Sequence, residues 1–151
     1  MREFKSGDVF IRDGKPGDFD AILLLLQQLW PGREPNPASL KDSFLKSFGL
    51  DGHIIRVAVY DEQLVGLCSL SIRNNLKAEG NLANIDELVI DESMRGKQIG
   101  KLLLGDAERI ARENGCKFMG LESSFHREGA HRFYEQNGYG KVGYYITKNL
   151  E

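Results

Sequence analysis

Apolar positions at the start of the chain recur with helical spacing. Phe19, Ile22, Leu23, Leu26 and Trp30 share one face of a segment opening at Asp18 and stopped by Pro31-Gly32, which predicts a helix with Asp18 as its N-cap. Leu40, Phe44, Leu45 and Phe48 predict a second helix over Ser39–Phe48, ended by Gly49. The period then shortens to that of strands. Ile54–Tyr60 and Leu64–Ile72 read as a hairpin about Asp61-Glu62-Gln63, followed by a longer polar loop over Arg73–Asn81 and a strand over Ala83–Ile90. Ile99, Leu102, Leu103, Ala107 and Ile110 line one side of a helix over Ile99–Asn114, closed by Gly115. Lys117–Leu121 predicts a strand, Arg127–Asn137 a helix, and Tyr139–Thr147 the closing strand or strands; Val9–Arg12 predicts a short first strand. The order β, α, α, β, β, β, α, β, α, β has no repeat or low-complexity linker. It fits a single domain over residues 1–151, of α/β (α+β) class, with a mostly antiparallel mixed sheet covered by helices on both faces.

Composition narrows the class without naming a chemistry. A hydrophobic fraction of 41% and a charged fraction of 28% fit a folded, soluble domain rather than a disordered one. A net charge of −2 leaves no overall basic excess for a nucleic-acid partner. The longest apolar run, Ala21–Leu26, is too short to span a bilayer, and the first residues lack the pattern of a signal peptide, so a cytoplasmic protein is expected. Cys68 and Cys116 have no metal-ligand spacing, and no metal site is expected; Cys68 sits in an apolar strand as a buried thiol.

The informative stretch is Leu88 to Leu103. A predicted strand runs through a turn holding Gly96, Gly100, Arg95, Lys97 and Lys101 into a predicted helix. A helix N-terminus presents unsatisfied N–H donors and partial positive charge, so this turn can bind a diphosphate. Neither the dinucleotide G-x-G-x-x-G pattern nor the P-loop pattern is present.

Arg95-Gly96-Lys97-Gln98-Ile99-Gly100 resembles the coenzyme A pyrophosphate motif of GNAT N-acetyltransferases, Q/R-x-x-G-x-G/A, with Gln98 standing at the usual middle glycine. Glutamine there keeps its backbone donor provided its φ is negative. Ala130 to Tyr139 is similar to the family's later A-x-x-x-Y-x-x-x-G-F/Y segment, and the two motifs are in the family's order. The resemblance implies a GNAT-like sheet of about six to seven strands flanked by about four helices. It also implies that acetyl-coenzyme A, the cosubstrate, lies between splayed strands 83–90 and 117–121. Its pyrophosphate would sit on the main chain from Arg95 through Gly96, Lys97, Gln98, Ile99 and Gly100 to Lys101, with backbone groups of Leu88, Val89 and Ile90 meeting the pantetheine arm and the acetyl oxygen.

The resemblance puts Tyr134 at the position of the acid that protonates the leaving thiolate. For the base, Asp86 and Glu87 are adjacent in a strand and expected to point to opposite faces, so only one faces the acceptor. Asp86, Glu87 and a water chain stand as alternatives, with the resemblance leaning to Asp86. The expected acceptor is the primary amine of a small molecule, cationic in character, walled by the loops 29–36 and 73–81, with Trp30 packing as an anchor or stacking on substrate. A protein lysine or N-terminal acetyltransferase would need an open groove rather than a closed pocket, the length and burial of the 73–81 loop separating the two; a non-catalytic coenzyme A-binding module would have little use for Tyr134. Edge strands near Tyr144–Lys148 are expected to pair in a homodimer.

Overall fold

The computed structural model describes residues 6–151. The chain divides into two compact units, residues 1–120 and 121–151. The first holds a mixed sheet in the order β1-β2-β3-β4-β5: β1 Phe10–Asp13, β2 His53–Tyr60, β3 Gln63–Asn75, β4 Gly80–Ile90 and β5 Phe118–Leu121, the last ending at the unit boundary. Helices α1 (Phe19–Leu29), α2 (Pro37–Ser47) and α3 (Ile99–Glu113) join these strands, and β1, β2, β3 and β4 are successively antiparallel.

Registry assigns the two faces of the sheet. Val57, Leu67 and Val89 lie side by side across β2, β3 and β4 and pack into one apolar cluster with Phe19, Ile22 and Leu26 of α1 and Phe44 of α2. The opposite face carries Ala58, Gly66 and Ile90, against which Leu103 of α3 packs; a Cβ on Gly66 would lie 2.9 Å from methyls of both Ile90 and Leu103. Cys68 is fully buried, and burial pushes its thiol up to about 12, so it is an inert core group. On the edge of the α3 face, Arg56 makes a bidentate pair with Asp106 (2.8 and 3.1 Å) and a further bond to Asp13, tying α3 to β2.

Several expected elements are displaced for identifiable reasons. Asp18 does not cap α1 through its side chain. It ends a 3₁₀ turn (Pro16–Asp18), and its carboxylate takes two bonds from Arg12 and one from the Lys15 N–H. α2 begins two residues early because Pro37 suits the first helical position and Asn36 caps it by accepting from the Ser39 N–H at 3.0 Å. The expected long loop over 73–81 is mostly strand: β3 extends to Asn75 and β4 starts at Gly80, leaving residues 76–79 as the turn. The hairpin about Asp61-Glu62 forms as expected, with both residues at positive φ.

The second unit holds α4, Glu128–Gln136, and no strand. The expected strands over 139–147 are absent, so the sheet has five strands among the described residues, below the expected count, and Tyr144–Lys148 offers no strand edge for pairing between copies. Gly140 and Gly143 interrupt the apolar alternation, and Val142 and Ile146 stand exposed.

Candidate active site

The site is built on β4 and the turn that follows it. In β4 the register with β3 slips: Ser69 faces Glu87 but Leu70 faces Ile85, so Asp86 is an extra residue in a β-bulge. The bulge corrects the expectation that Asp86 and Glu87 diverge. Glu87 shares the face of Ser69. Asp86 accepts from the Ser71 hydroxyl at 3.2 Å and from the Asn84 amide at 2.9 Å, and Ser71 and Asn84 are themselves register partners on that face. Both carboxylates therefore lie on the α1/α2 face of the sheet.

Their environments differ. Asp86 is exposed. Glu87 is half-buried, and its carboxylate accepts from the Ser69 hydroxyl while its own N–H donates to the same oxygen at 3.1 Å. Burial raises the Glu87 carboxyl above the usual carboxylate range; the Ser69 bond partly opposes this and the neighbouring Asp86 charge adds to it. The pair is thus one solvated anion beside one carboxylate of raised proton affinity.

Beyond Ile90 the chain turns. Asp91 opens a 3₁₀ turn (Glu92–Met94), Arg95 bonds back to the Ile90 carbonyl through Nε at 3.2 Å, and Gly96 takes φ +76°. A Cβ on Gly96 would meet nothing within 4 Å, so glycine is needed there for its dihedral and not for space. Gln98, at the N-terminus of α3, takes φ +67°. This corrects the expectation of a negative φ, and the condition attached to it falls away, because a positive φ re-aims the Gln98 N–H without removing it: the chain keeps the left-handed geometry natural to glycine and bears the strain. A left-handed non-glycine residue costs about 1–2 kcal/mol, and roughly half of that is returned as glycine's extra chain entropy. Gln98→Gly is therefore expected to raise Tm by about 2 °C without weakening coenzyme binding; a lower Tm by calorimetry would contradict this.

Ile99, Gly100 and Lys101 supply the first-turn N–H groups of α3, which have no intrahelical acceptor. The Ile99 side chain is buried, so only its main chain is offered to a ligand. Arg95 and Lys101 are exposed and Lys97 half-buried beside them. Leu88, Val89 and Ile90 close β4, which has eleven residues against the four of β5; a Cβ on Gly120 of β5 would lie 3.6 Å from Asn84 Oδ1, near the middle of β4.

On the α1 side an open groove of about 790 Å³ is lined by Gln27, Trp30, Arg33 and Glu34 among others. Trp30 is partly buried against the core, and the Arg33 guanidinium lies 4.8 Å from the centre of its ring, so it is anchor and groove wall at once. The 76–79 turn, expected as part of a long wall, is not among the residues lining this groove.

Tyr134 lies in the second unit, half-buried on α4, with its ring packed edge-on against Phe133 (5.3 Å) and Tyr139 (5.7 Å). The bulge and the Gln98 dihedral were missed in the sequence, where neither Asp86 nor Gln98 belongs to a residue type that announces such a conformation. The Ser69–Glu87 pairing was missed as well, though alternation places both serines of β3 on one face.

A bulged strand bearing two carboxylates thus leads through a basic turn into an open helix N-terminus, within the stretch that the comparisons with known proteins cover. The chain belongs to the Acetyltransferase (GNAT) family, whose model matches residues 19–139, and it is an acetyl-coenzyme A-dependent N-acetyltransferase. It is 32% identical over 141 residues to the aminoalkylphosphonate N-acetyltransferase of Salmonella typhimurium, covering 93% of this chain and 90% of that one. Among solved structures it resembles a transcriptional regulator from Bacillus halodurans (TM-score 0.84, 26% identity, 94% and 99% of the two chains). It also resembles a putative acetyltransferase from Agrobacterium tumefaciens (TM-score 0.82, 28% identity, 92% and 99%).

Proposed function

We propose that this protein acetylates the primary amine of a small molecule by direct attack in a ternary complex, with Glu87 as the base. The observation that carries this reading is the bulge that brings Asp86 and Glu87 to one face in unlike environments. An acceptor ammonium of ordinary pKa about 10 must lose a proton before it attacks, and a carboxylate of raised proton affinity is the better acceptor of the two. Glu87 is that group, held by Ser69. Asp86, oriented by Ser71 and Asn84 and open to solvent, draws the cationic acceptor in.

When bound, acetyl-coenzyme A supplies the acetyl group as a thioester. The residues present suit it: the N–H groups of Gln98, Ile99, Gly100 and Lys101 and the charge of Arg95 and Lys97 favour a diphosphate. The main chain of Leu88, Val89 and Ile90, on a strand longer than its neighbour, offers amides to the pantetheine arm and the acetyl oxygen. Tyr134 takes the role of acid toward the leaving thiolate, on the strength of its place in the family's later motif.

The acceptor proposed is a small amine with an anionic tail of the phosphonate kind. The name of the Salmonella relative supports this class, and so does charge on the acceptor face: Arg73 stands two residues beyond Ser71, on its side of β3. The test is mass-spectrometric screening of aminoalkylphosphonates, phosphorylated amino sugars, polyamines and lysine peptides for gain of one acetyl group. Acetylation of the phosphonates above the polyamines is expected, and acetylation confined to peptides would replace this reading with a protein acetyltransferase. Tyr134→Phe is expected to lower kcat about tenfold, less than the roughly hundredfold or more usual for acid catalysis, because a thiolate near pKa 8.5 departs readily. A wild-type rate in that variant would remove the tyrosine from the mechanism.

A further inference from the structure

We propose that Gln28, on α1, is a positioning residue that holds the β4–α3 turn in its coenzyme-binding form. The inference rests on the reading of that turn as the pyrophosphate site. The side-chain amide of Gln28 makes two bonds across 63 and 64 residues of sequence: Nε2 donates to Asp91 Oδ1 at 2.8 Å, and Oε1 accepts from the Glu92 N–H at 2.9 Å. Its orientation is fixed by its partners, because a carboxylate only accepts here and a main-chain N–H only donates.

Asp91 is the first residue after β4. Its N–H donates to the Val65 carbonyl at 2.8 Å, its own carbonyl accepts from the Met94 N–H at 2.8 Å, and its second carboxylate oxygen accepts from the N–H and hydroxyl of Ser93. Strand end, 3₁₀ turn and helix α1 thus meet on one carboxylate. The Gln28 bond is the first cause holding that carboxyl below its usual range, with Ser93 second. Four residues separate Asp91 from Gly96, the first of the two left-handed residues, Gly96 and Gln98, that aim the α3 N-terminus. Gln27, the preceding residue, lines the groove beside Trp30, so one helix touches both the groove and the coenzyme turn.

A charge-conserving exchange tests this. Gln28→Glu sets two carboxylates against each other, and Asp91→Asn alone leaves one carbonyl oxygen where two carboxylate oxygens had served, so that either Gln28 Nε2 or the Ser93 donors face an amide NH2. In the double variant the donor sense is reversed and both bonds return: the amide introduced at position 91 would donate to the carboxylate introduced at position 28, which still accepts from the Glu92 N–H. Coenzyme A affinity is read by calorimetry at fixed pH, with Tm recorded for each variant. Each single variant is expected to bind about tenfold more weakly, as the loss of one charge-assisted bond predicts, and the double variant to recover to within about threefold of wild type. Singles within twofold of wild type, or a double no better than either single, would overturn the role of Gln28, and either single suffices should the other not fold. Absence of coenzyme binding by wild type would instead sink the reading of the turn itself.

Discussion

Glu87→Gln is expected to lower kcat by about a hundredfold, the low end of what a positioned base contributes, while the fold becomes no less stable. The substitution keeps size and keeps a partner for Ser69, so only the proton-accepting capacity is lost. Burial raises the folded pKa of Glu87 above its unfolded value. Its stabilising contribution is therefore complete below the unfolded pKa, about 4.3, and is lost as pH rises through the folded value; at neutral pH the ionised group costs stability. Glutamine has no such cost, so Tm of the variant should match or exceed wild type at pH 7 and converge with it near pH 4. In wild type, kcat/KM should rise with pH through the raised Glu87 pKa, and the variant should lack that limb. Asp86→Asn should act differently, raising the KM for the amine about fivefold with a smaller change in kcat, as expected of a screened surface charge. A hundredfold loss in Asp86→Asn with full activity in Glu87→Gln would exchange the two roles.

These two residues also show where the sequence is informative. The hairpin of β2 and β3, α3 with its buried Ile99, Leu103 and Ala107, and the helical face of α1 follow from periodicity, because burial on one face forces the pattern. The strand–turn–helix passage from β4 into α3 follows from two glycines, three cations and the family motif. The bulge leaves no such trace. Alternation through Ala83, Ile85, Glu87 and Val89 reads as one continuous face, and only the register with β3 reveals that Asp86 resets it. Gln98 hides its dihedral because a left-handed glutamine is imposed by the elements on either side of it. The bonds from Gln28 to Asp91 and Glu92 join residues 63 and 64 positions apart, beyond any local pattern. In the other direction, the 139–147 stretch has strand composition without strand structure: propensity proposes a strand, and a hydrogen-bonded neighbour makes one.

The same small substitution is expected to have opposite signs at two glycines of the first unit. Gly52 leads into β2 at φ +78°, its carbonyl accepts from the Ile72 N–H at 2.7 Å, and a Cβ there would lie 2.2 Å from the Ile72 carbonyl oxygen. Gly52→Ala must therefore bear left-handed strain and also push two main-chain segments apart. With about 1–2 kcal/mol for the dihedral, about 1 for the strained or broken bond and a further 1 for the overlap, the loss is about 3 kcal/mol, or a Tm lower by roughly 6–12 °C. The movement falls on the β3 residue next to Ser71, which orients Asp86, so the KM for the amine should rise more than that for acetyl-coenzyme A. Gly105, within α3, is the contrast: a Cβ meets nothing within 4 Å, and helical propensity alone favours alanine by about 1 kcal/mol. Gly105→Ala should raise Tm by about 2–4 °C with both KM values unchanged. Thermal melts of the two variants read this directly. Equal shifts would mean that the main-chain contact between Gly52 and Ile72 does not constrain the end of β3, and the orientation of Asp86 would then have to come from Asn84 alone.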